Sequence, residues 1–204
     1  MLPVKSKYKI GKRLGAAVFD QCQTQKFALS EARSKNRKER RGKRAGSDYS
    51  RQLLEKQRVR FTYGLSERQL SNYAKAAFAT ADPSTSLHRA LEMRADNVVY
   101  RAGLAPTRRA ARQMVSHGHI RVNDKRITVP SYCVRVGDVV SVREGSRAKA
   151  LFSKLNDPEE LARVKANWIT LDPALMRAEV VGEPTYTVIE TGIDYPTVFE
   201  FYSR

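Results

Sequence analysis

Leu87, Leu91, Ala95, Val98, Val99 and Ala102 recur at three- and four-residue spacing, which predicts one amphipathic helix over 87–102. Gly103 suits the position just past its end. Pro106 and Thr107 open a second helix. At 100° per residue, Ala110, Ala111, Met114, Val115 and His117 share one arc of it, and Arg108, Arg109, Arg112, Gln113 and Ser116 share the other. The period then changes. Ile120 and Val122 alternate with polar residues, Asn123-Asp124 make a turn, and Ile127 and Val129 alternate again. RVGDVVSVRE at 135–144 supplies a turn and a further strand. Two helices are therefore followed by a small set of short strands.

Upstream, SDYSRQLLEKQRVRFTYG predicts a helix capped by Ser47 or Asp48, with apolar positions at Leu53, Leu54 and Phe61 and a stop at Gly64. A new helix starts at Ser66, with Gln69 three residues on in capping-box spacing. Leu70, Tyr73, Ala74 and Ala77 fall on its one face. ADPSTS at 81–86 marks a boundary. Beyond residue 150 the pattern predicts a helix near 158–166 and a strand at TYTVIE, 185–190. The ending VFEFYSR, apolar at Val198, Phe199 and Phe201, is expected to dock on the rest of the chain.

Charge changes this picture. The 204 residues are 41% hydrophobic, enough for a core, yet carry a formal charge of +17. Residues 1–60 hold 18 Lys/Arg against 5 Asp/Glu, residues 61–150 hold 15 against 7, and residues 151–204 hold 5 against 9. A chain so basic at its head repels itself until a polyanion neutralises it. Lys35, Arg37, Lys38, Arg40, Arg41, Lys43 and Arg44 crowd ten positions with few large apolar residues between them. Residues 1–46 therefore read as a basic arm, disordered or extended until a partner orders it. No apolar run approaches the roughly 20 residues of a spanning helix, which weighs against a membrane partner. Cys22 and Cys133 are too far apart in sequence for a recognisable zinc motif, and no cofactor is indicated.

The polar arc of the second helix is the sharpest chemical signal. It holds three guanidiniums and no acid, although like charges at i,i+4 repel. Guanidiniums stay charged and pair bidentately with phosphate oxygens. Arg121, Lys125 and Arg126 extend the patch. His117 and His119 lack the further ligands of a metal site and the partners of a catalytic one. His117 fits a helix end, and His119 a contact to RNA sugar, phosphate or base. A helix–turn–helix reading of DNA is the rival, and the strands that follow weigh mildly toward RNA.

LEMRADNVVYRAGLAPTRRAARQMVSHGHIRVNDKRITVPSYCVRVGDVVSVRE closely resembles the RNA-binding domain of the small-subunit ribosomal protein S-four family. SDYSRQLLEKQRVRFTYGLSERQLSNY is similar to that family's first helical domain, and EFYSR to its usual ending. The resemblance implies an α+β fold: a helical first domain, a small RNA-binding domain of two helices on short antiparallel strands, and an extended basic N-terminal arm. The expected division is an arm at 1–46, a helical domain at 47–86 with 196–204, and a second domain at 87–195 whose RNA-binding core spans about 90–150. Matching positions imply RNA contacts at Arg94, Arg101, Arg108, Arg109, Arg112, His117, His119, Arg121 and Lys125, and in the first domain at Tyr49, Arg51, Lys56, Arg58 and Arg68. The resemblance also implies a structural role in the small subunit, within the ribosome of the cytoplasm or an organelle. Its partners there would be the 5′ domain of the ribosomal RNA, where it nucleates assembly, messenger RNA near the entry channel, and proteins S-five and S-three, the S-five contact supporting decoding accuracy. Some members bind metal through four cysteines in the arm; with Cys22 alone, the metal-free form is indicated. Related RNA-binding domains also occur on pseudouridine synthases and tyrosyl-tRNA synthetases. This chain shows neither a phosphate-cradling glycine loop nor a nucleophile–base set, so a non-enzyme is expected.

Overall fold

A computed structural model describes residues 4, 6–15, 18, 19, 22–39, 47–149, 152 and 166–203. Its chain divides into two compact units, one of residues 1–84 with 187–204 and one of 85–186. The fold is α+β, as expected. Among the described residues, no helix is long and apolar enough to cross a membrane.

The first unit is helical. It contains α1 (Lys7–Leu14), α2 (Gln25–Glu39), α3 (Asp48–Thr62), α4 (Glu67–Phe78) and, after the second unit, α9 (Val188–Thr191) and α10 (Tyr195–Tyr202). Ser47 caps α3, accepting from the Ser50 amide. Ser66 and Gln69 form the full capping box of α4. Gly64 closes α3 with φ of 61°, which frees the Leu65 amide to reach the Arg60 carbonyl. The C-terminal segment does dock. α10 packs on α3 and α4, burying Tyr195, Val198 and Phe199, and Phe78 meets Phe199 edge-on at 4.7 Å.

Three expectations for this unit are corrected. The buried positions of α3 are Gln52, Lys56 and Val59, while Leu53, Leu54 and Phe61 are half-buried. Polar stems take the inner face because each head has a partner: Gln52 donates to Glu200 at 3.0 Å and Lys56 to Glu67 at 2.9 Å. The basic arm is helical in α1 and α2 rather than extended. Leu14, Val18, Cys22 and Phe27 are buried, Tyr8 stacks on Phe27 at 5.7 Å, and α1 rests on α3. Residues too sparse to form a core alone suffice when α3 supplies the opposing surface. Residues 187–195, expected in the second domain, belong to the first unit. Ile193 and Tyr195 are buried, and the Tyr195 hydroxyl lies 3.4 Å from that of Tyr63.

The second unit holds α5 (Pro83–Glu92), whose first turn contains the division, then α6 (Ala95–Arg101), α7 (Arg108–Ser116), β1 (Ile120–Val122), β2 (Lys125–Arg126), β3 (Val139–Val142), α8 (Glu144–Arg147), β4 (Ile169–Asp172) and β5 (Arg177–Val180). The strands form one antiparallel sheet in the order β2-β1-β3-β5-β4. One core unites Ala95, Val98, Val99 and Ala102 with Met114, Val115, Ile120, Val140, Val142, Ala178 and Val180.

The single helix expected over 87–102 is two helices. Arg94 adopts an extended conformation (φ −72°, ψ 141°) and bridges to Cys133. The loop opposite then satisfies the exposed first turn of α6, with the Ala95 amide donating to the Tyr132 carbonyl at 2.8 Å and the Asp96 amide to the Pro130 carbonyl at 3.2 Å. Apolar spacing runs across the break because each helix buries one face, but only the α6 residues belong to this core; Leu87 and Leu91 of α5 are buried outside it. The turn Asn123-Asp124 has positive φ at both residues (48° and 62°), the mirror-type turn that tight hairpins favour. Ile127–Val129 form no strand, and β4 and β5 complete the sheet instead. TYTVIE is also no strand: its end forms α9, and Ile189 is 97% exposed, so the alternation there does not report burial. Residues 158–165 of the expected helix lie outside the described residues.

Candidate nucleic-acid interface

Two buried carboxylates organise the arginines of the second unit. Glu92, in the last turn of α5, is 1% exposed, and Asp96, in the first turn of α6, is 3% exposed. Such groups are costly to bury unless paired and hydrogen-bonded. Arg101 grips Glu92 with two bonds, Nε to Oε2 at 2.7 Å and Nη2 to Oε1 at 2.8 Å. Arg108 reaches the same carboxylate at 3.5 Å and lies 4.5 Å from the centre of the Tyr100 ring. Arg112 holds Asp96 through Nε at 2.8 Å, and Arg94 holds it through Nε and Nη2 with bonds of 3.0 and 2.8 Å. Among the described residues, four guanidiniums thus share these two carboxylates.

The helical wheel of α7 placed three arginines on one face without an acid. The acids come instead from α5 and α6, across a distance that sequence spacing does not reveal. Thr107 fixes the start of α7, its hydroxyl accepting from the Ala110 amide at 3.1 Å. Arg109 is exposed, Arg108 and Arg112 are half-buried, and Arg94 is buried at 2%. Arg94 is therefore an internal counter-ion and not a surface contact.

A second cationic group lies at the other end of α7. In the β1–β2 hairpin Arg121 pairs with Arg126 and Val122 with Lys125. Like charges directly opposite repel, so an anion there would relieve the hairpin. Gly118 has φ of 70°, and a Cβ on it would collide with the Arg126 guanidinium, which also reaches the His117 carbonyl at 3.5 Å. His117 is exposed at the helix cap rather than in the packed arc. His119, expected at the surface, is 9% exposed, and its Nδ1 lies 3.0 Å from the Ser146 hydroxyl. Burial lowers its pKa, and Lys149, His117, Arg143 and Arg126 lower it further. Arg143 and Lys149 are exposed and were not singled out from sequence. The basic composition of VREGSRAK was visible, but its reading as a strand end hid them.

In the first unit, Tyr49, Arg51 and Arg68 are exposed. Lys56 and Arg58 are not open surface contacts. Lys56 is buried between Glu67 and the Phe201 ring, 4.4 Å from its centre. Arg58 donates to the Leu14 carbonyl at 2.9 Å, to Glu55 at 2.6 Å and to the Gly192 carbonyl at 3.3 Å, so it clamps α1 and the turn after α9 onto α3. Lys35, Arg37 and Lys38 fall within α2. Arg40, Arg41, Lys43 and Arg44 lie outside the described residues. Among the described residues, no group of three His, Cys, Asp or Glu side chains is arranged to hold a metal ion.

Residues 4–92 match the family model described as "Ribosomal protein S4/S9 N-terminal domain", and residues 93–140 match the "S4 domain". The small ribosomal subunit protein uS4 of Roseiflexus sp. is 42% identical to this chain over 96% of each. The chain belongs to the uS4 family. The uS4 protein of Clostridioides difficile is 38% identical over 95% of this chain and 94% of its own, and that of Chloroherpeton thalassium is 37% identical over 96% of each. Members of the family are structural proteins and not enzymes. The junction of the two family models, at 92/93, falls at the end of α5, whereas the compact units divide in its first turn. The arginine group on Glu92 and Asp96 lies within the second unit, and all of it except Glu92 lies at or beyond the start of the S4 domain match.

Proposed function

We propose that this protein is a structural constituent of the small ribosomal subunit that binds the 5′ domain of its ribosomal RNA early and nucleates assembly. Its site of action is the ribosome of the cytoplasm. There it contacts proteins S-five and S-three near the messenger entry channel and supports decoding accuracy through the S-five contact. The observation that carries the RNA-binding reading is the arginine group seated on Glu92 and Asp96, continued by Arg109 and by the cations around β1–β2. Anchored guanidiniums suit phosphates held at fixed positions by folded RNA. The charge of +17 supplies the long-range attraction. We assign the RNA surface of the second unit to Arg101, Arg108, Arg109, Arg112, His117, Arg121, Lys125, Arg126, Arg143 and Lys149. That of the first unit is Tyr49, Arg51 and Arg68, together with the basic run at 35–44.

The test is binding of the full chain to a transcript of the 5′ domain, competed with duplex DNA and with the other domains of the same RNA. Selective retention on the 5′ domain is the expected result. Preference for duplex DNA, or equal affinity for every domain, would overturn the proposal. Replacing the seven cations of the run at 35–44 with Gln, which leaves Leu14 and Phe27 in place, should flatten the salt dependence, because each phosphate contact contributes a log–log slope of roughly −0.7 to −0.9.

A further inference from the structure

We infer that Glu92 and Asp96 are positioning residues for RNA recognition, holding the arginines that fit folded RNA even though they subtract charge from the surface. The inference rests on the RNA-binding reading above. Counted as charge alone, two acids on a polyanion-binding face only weaken binding. The geometry points the other way. Each carboxylate serves two guanidiniums: Glu92 holds Arg101 and Arg108, and Asp96 holds Arg94 and Arg112. Because Arg94 is itself buried and bonded to Asp96, it balances that carboxylate from within, and Arg112 is not its sole counter-ion.

The carboxylates lie on the inner side of the group. Glu92 and Asp96 side chains are 1% and 4% exposed, whereas those of Arg101, Arg108 and Arg112 are 34%, 22% and 14% exposed. A phosphate approaching from solvent meets guanidiniums and cannot take the acids' seats. A guanidinium has five N–H donors in a rigid plane, so a carboxylate that takes two of them fixes the plane and with it the direction of the other donors. An unanchored arginine samples many rotamers and must lose that freedom on binding. Anchoring therefore favours RNA whose phosphates sit at fixed spacing. It gives no advantage on a flexible strand, which adapts to any arrangement.

The test uses the full chain with two probes, the 5′-domain transcript and polyuridylate. Glu92→Gln and Asp96→Asn each raise the net charge by one. Affinity for the transcript is expected to fall about tenfold, the loss of one charge-assisted hydrogen bond, while affinity for polyuridylate holds or rises. A preserved ratio of the two affinities, whether both rise or both fall, overturns the inference. A second measurement needs no variant. The Arg101 and Arg112 Nε–H groups, which donate to Glu92 and Asp96, should give slowly exchanging ¹⁵N resonances that persist when the transcript is bound to the wild-type chain. Their loss on binding would mean that phosphate displaces the acids, and the inference fails. Wild-type protein that binds the two probes equally refutes the 5′-domain reading proposed above, which is a separate result.

Discussion

Arg109 and Arg112 lie three positions apart on α7, yet their replacement should have different consequences. Arg112 donates from Nε to Asp96 at 2.8 Å and approaches the same oxygen at 2.8 Å through Nη2, with both side chains largely enclosed. Arg112→Ala leaves that carboxylate buried. Removing the only partner of a buried charge costs about 3–5 kcal/mol. Here Arg94 remains bonded to Asp96, so the expected loss is smaller, about 1–3 kcal/mol, that of a charge-assisted hydrogen bond. For a unit of this size that lowers Tm by roughly 5–20 °C. Arg109 is exposed, and among the described residues no ion pair holds it, so Arg109→Ala should change stability by less than about 0.5 kcal/mol. Both variants should weaken RNA binding, and Arg109→Ala should shift the log–log salt slope by roughly 0.7–0.9 if it removes one phosphate contact. Differential scanning calorimetry of the free proteins and a salt series of RNA binding make the comparison. Coincident melting of the two variants would refute the claim that the carboxylate pairs support the fold, and an unaltered slope in Arg109→Ala would remove that residue from the RNA surface.

Other outcomes follow from the same geometry. The folded state holds His119 below its ordinary pKa of 6.5 by burial and by neighbouring cations. The unfolded chain then binds the extra proton first, so this contribution to stability is present above pH 6.5 and is lost as pH falls below it. Urea unfolding at pH 7.5 and 5.5 should show a larger loss for wild type than for His119→Gln, and equal losses would assign the pH dependence elsewhere. Gly118→Ala puts a side chain at φ of 70°, so it should cost about 1–2 kcal/mol, read by melting, while the exposed Arg126 guanidinium swings aside, read by its resonances. Cys133 is exposed and Cys22 is buried with its thiol pKa raised by burial. A thiol reagent at pH 8 should label Cys133 in the native chain and Cys22 only after unfolding, and equally fast labelling of both would show that α1 does not cover Cys22.

Elements whose determinants are local were legible in the residues. The capping box of Ser66 and Gln69, the stop at Gly64, the Thr107 cap and the Asn123-Asp124 turn each depend on a few neighbouring positions, and all are found in the structure. The apolar set from Leu87 to Ala102 marked buried residues, because each of the two helices it spans buries one face at helical spacing. The break itself was hidden, since it depends on the loop around Tyr132 and Cys133, nearly forty positions downstream. The arm misled for a related reason. Whether Leu14 and Phe27 suffice for folding depends on the surface α3 offers them, which composition does not measure. β4 and β5 were not legible as part of the sheet, because only the pairing of β5 with β3, between residues far apart in sequence, joins that local pair of strands to it.

The basic character of the chain, and with it a polyanionic partner, was determined by sequence alone, because net charge is a sum that no arrangement alters. Which cations face outward was decided only by tertiary structure. Arg94, Lys56 and Arg58 are arginine or lysine like their neighbours in sequence, yet each is committed to a partner within the fold. Glu92 and Asp96 carry no mark of their role in the linear text. A carboxylate acquires that role only when folding brings distant guanidiniums within three ångströms or so and removes the water that would otherwise screen them.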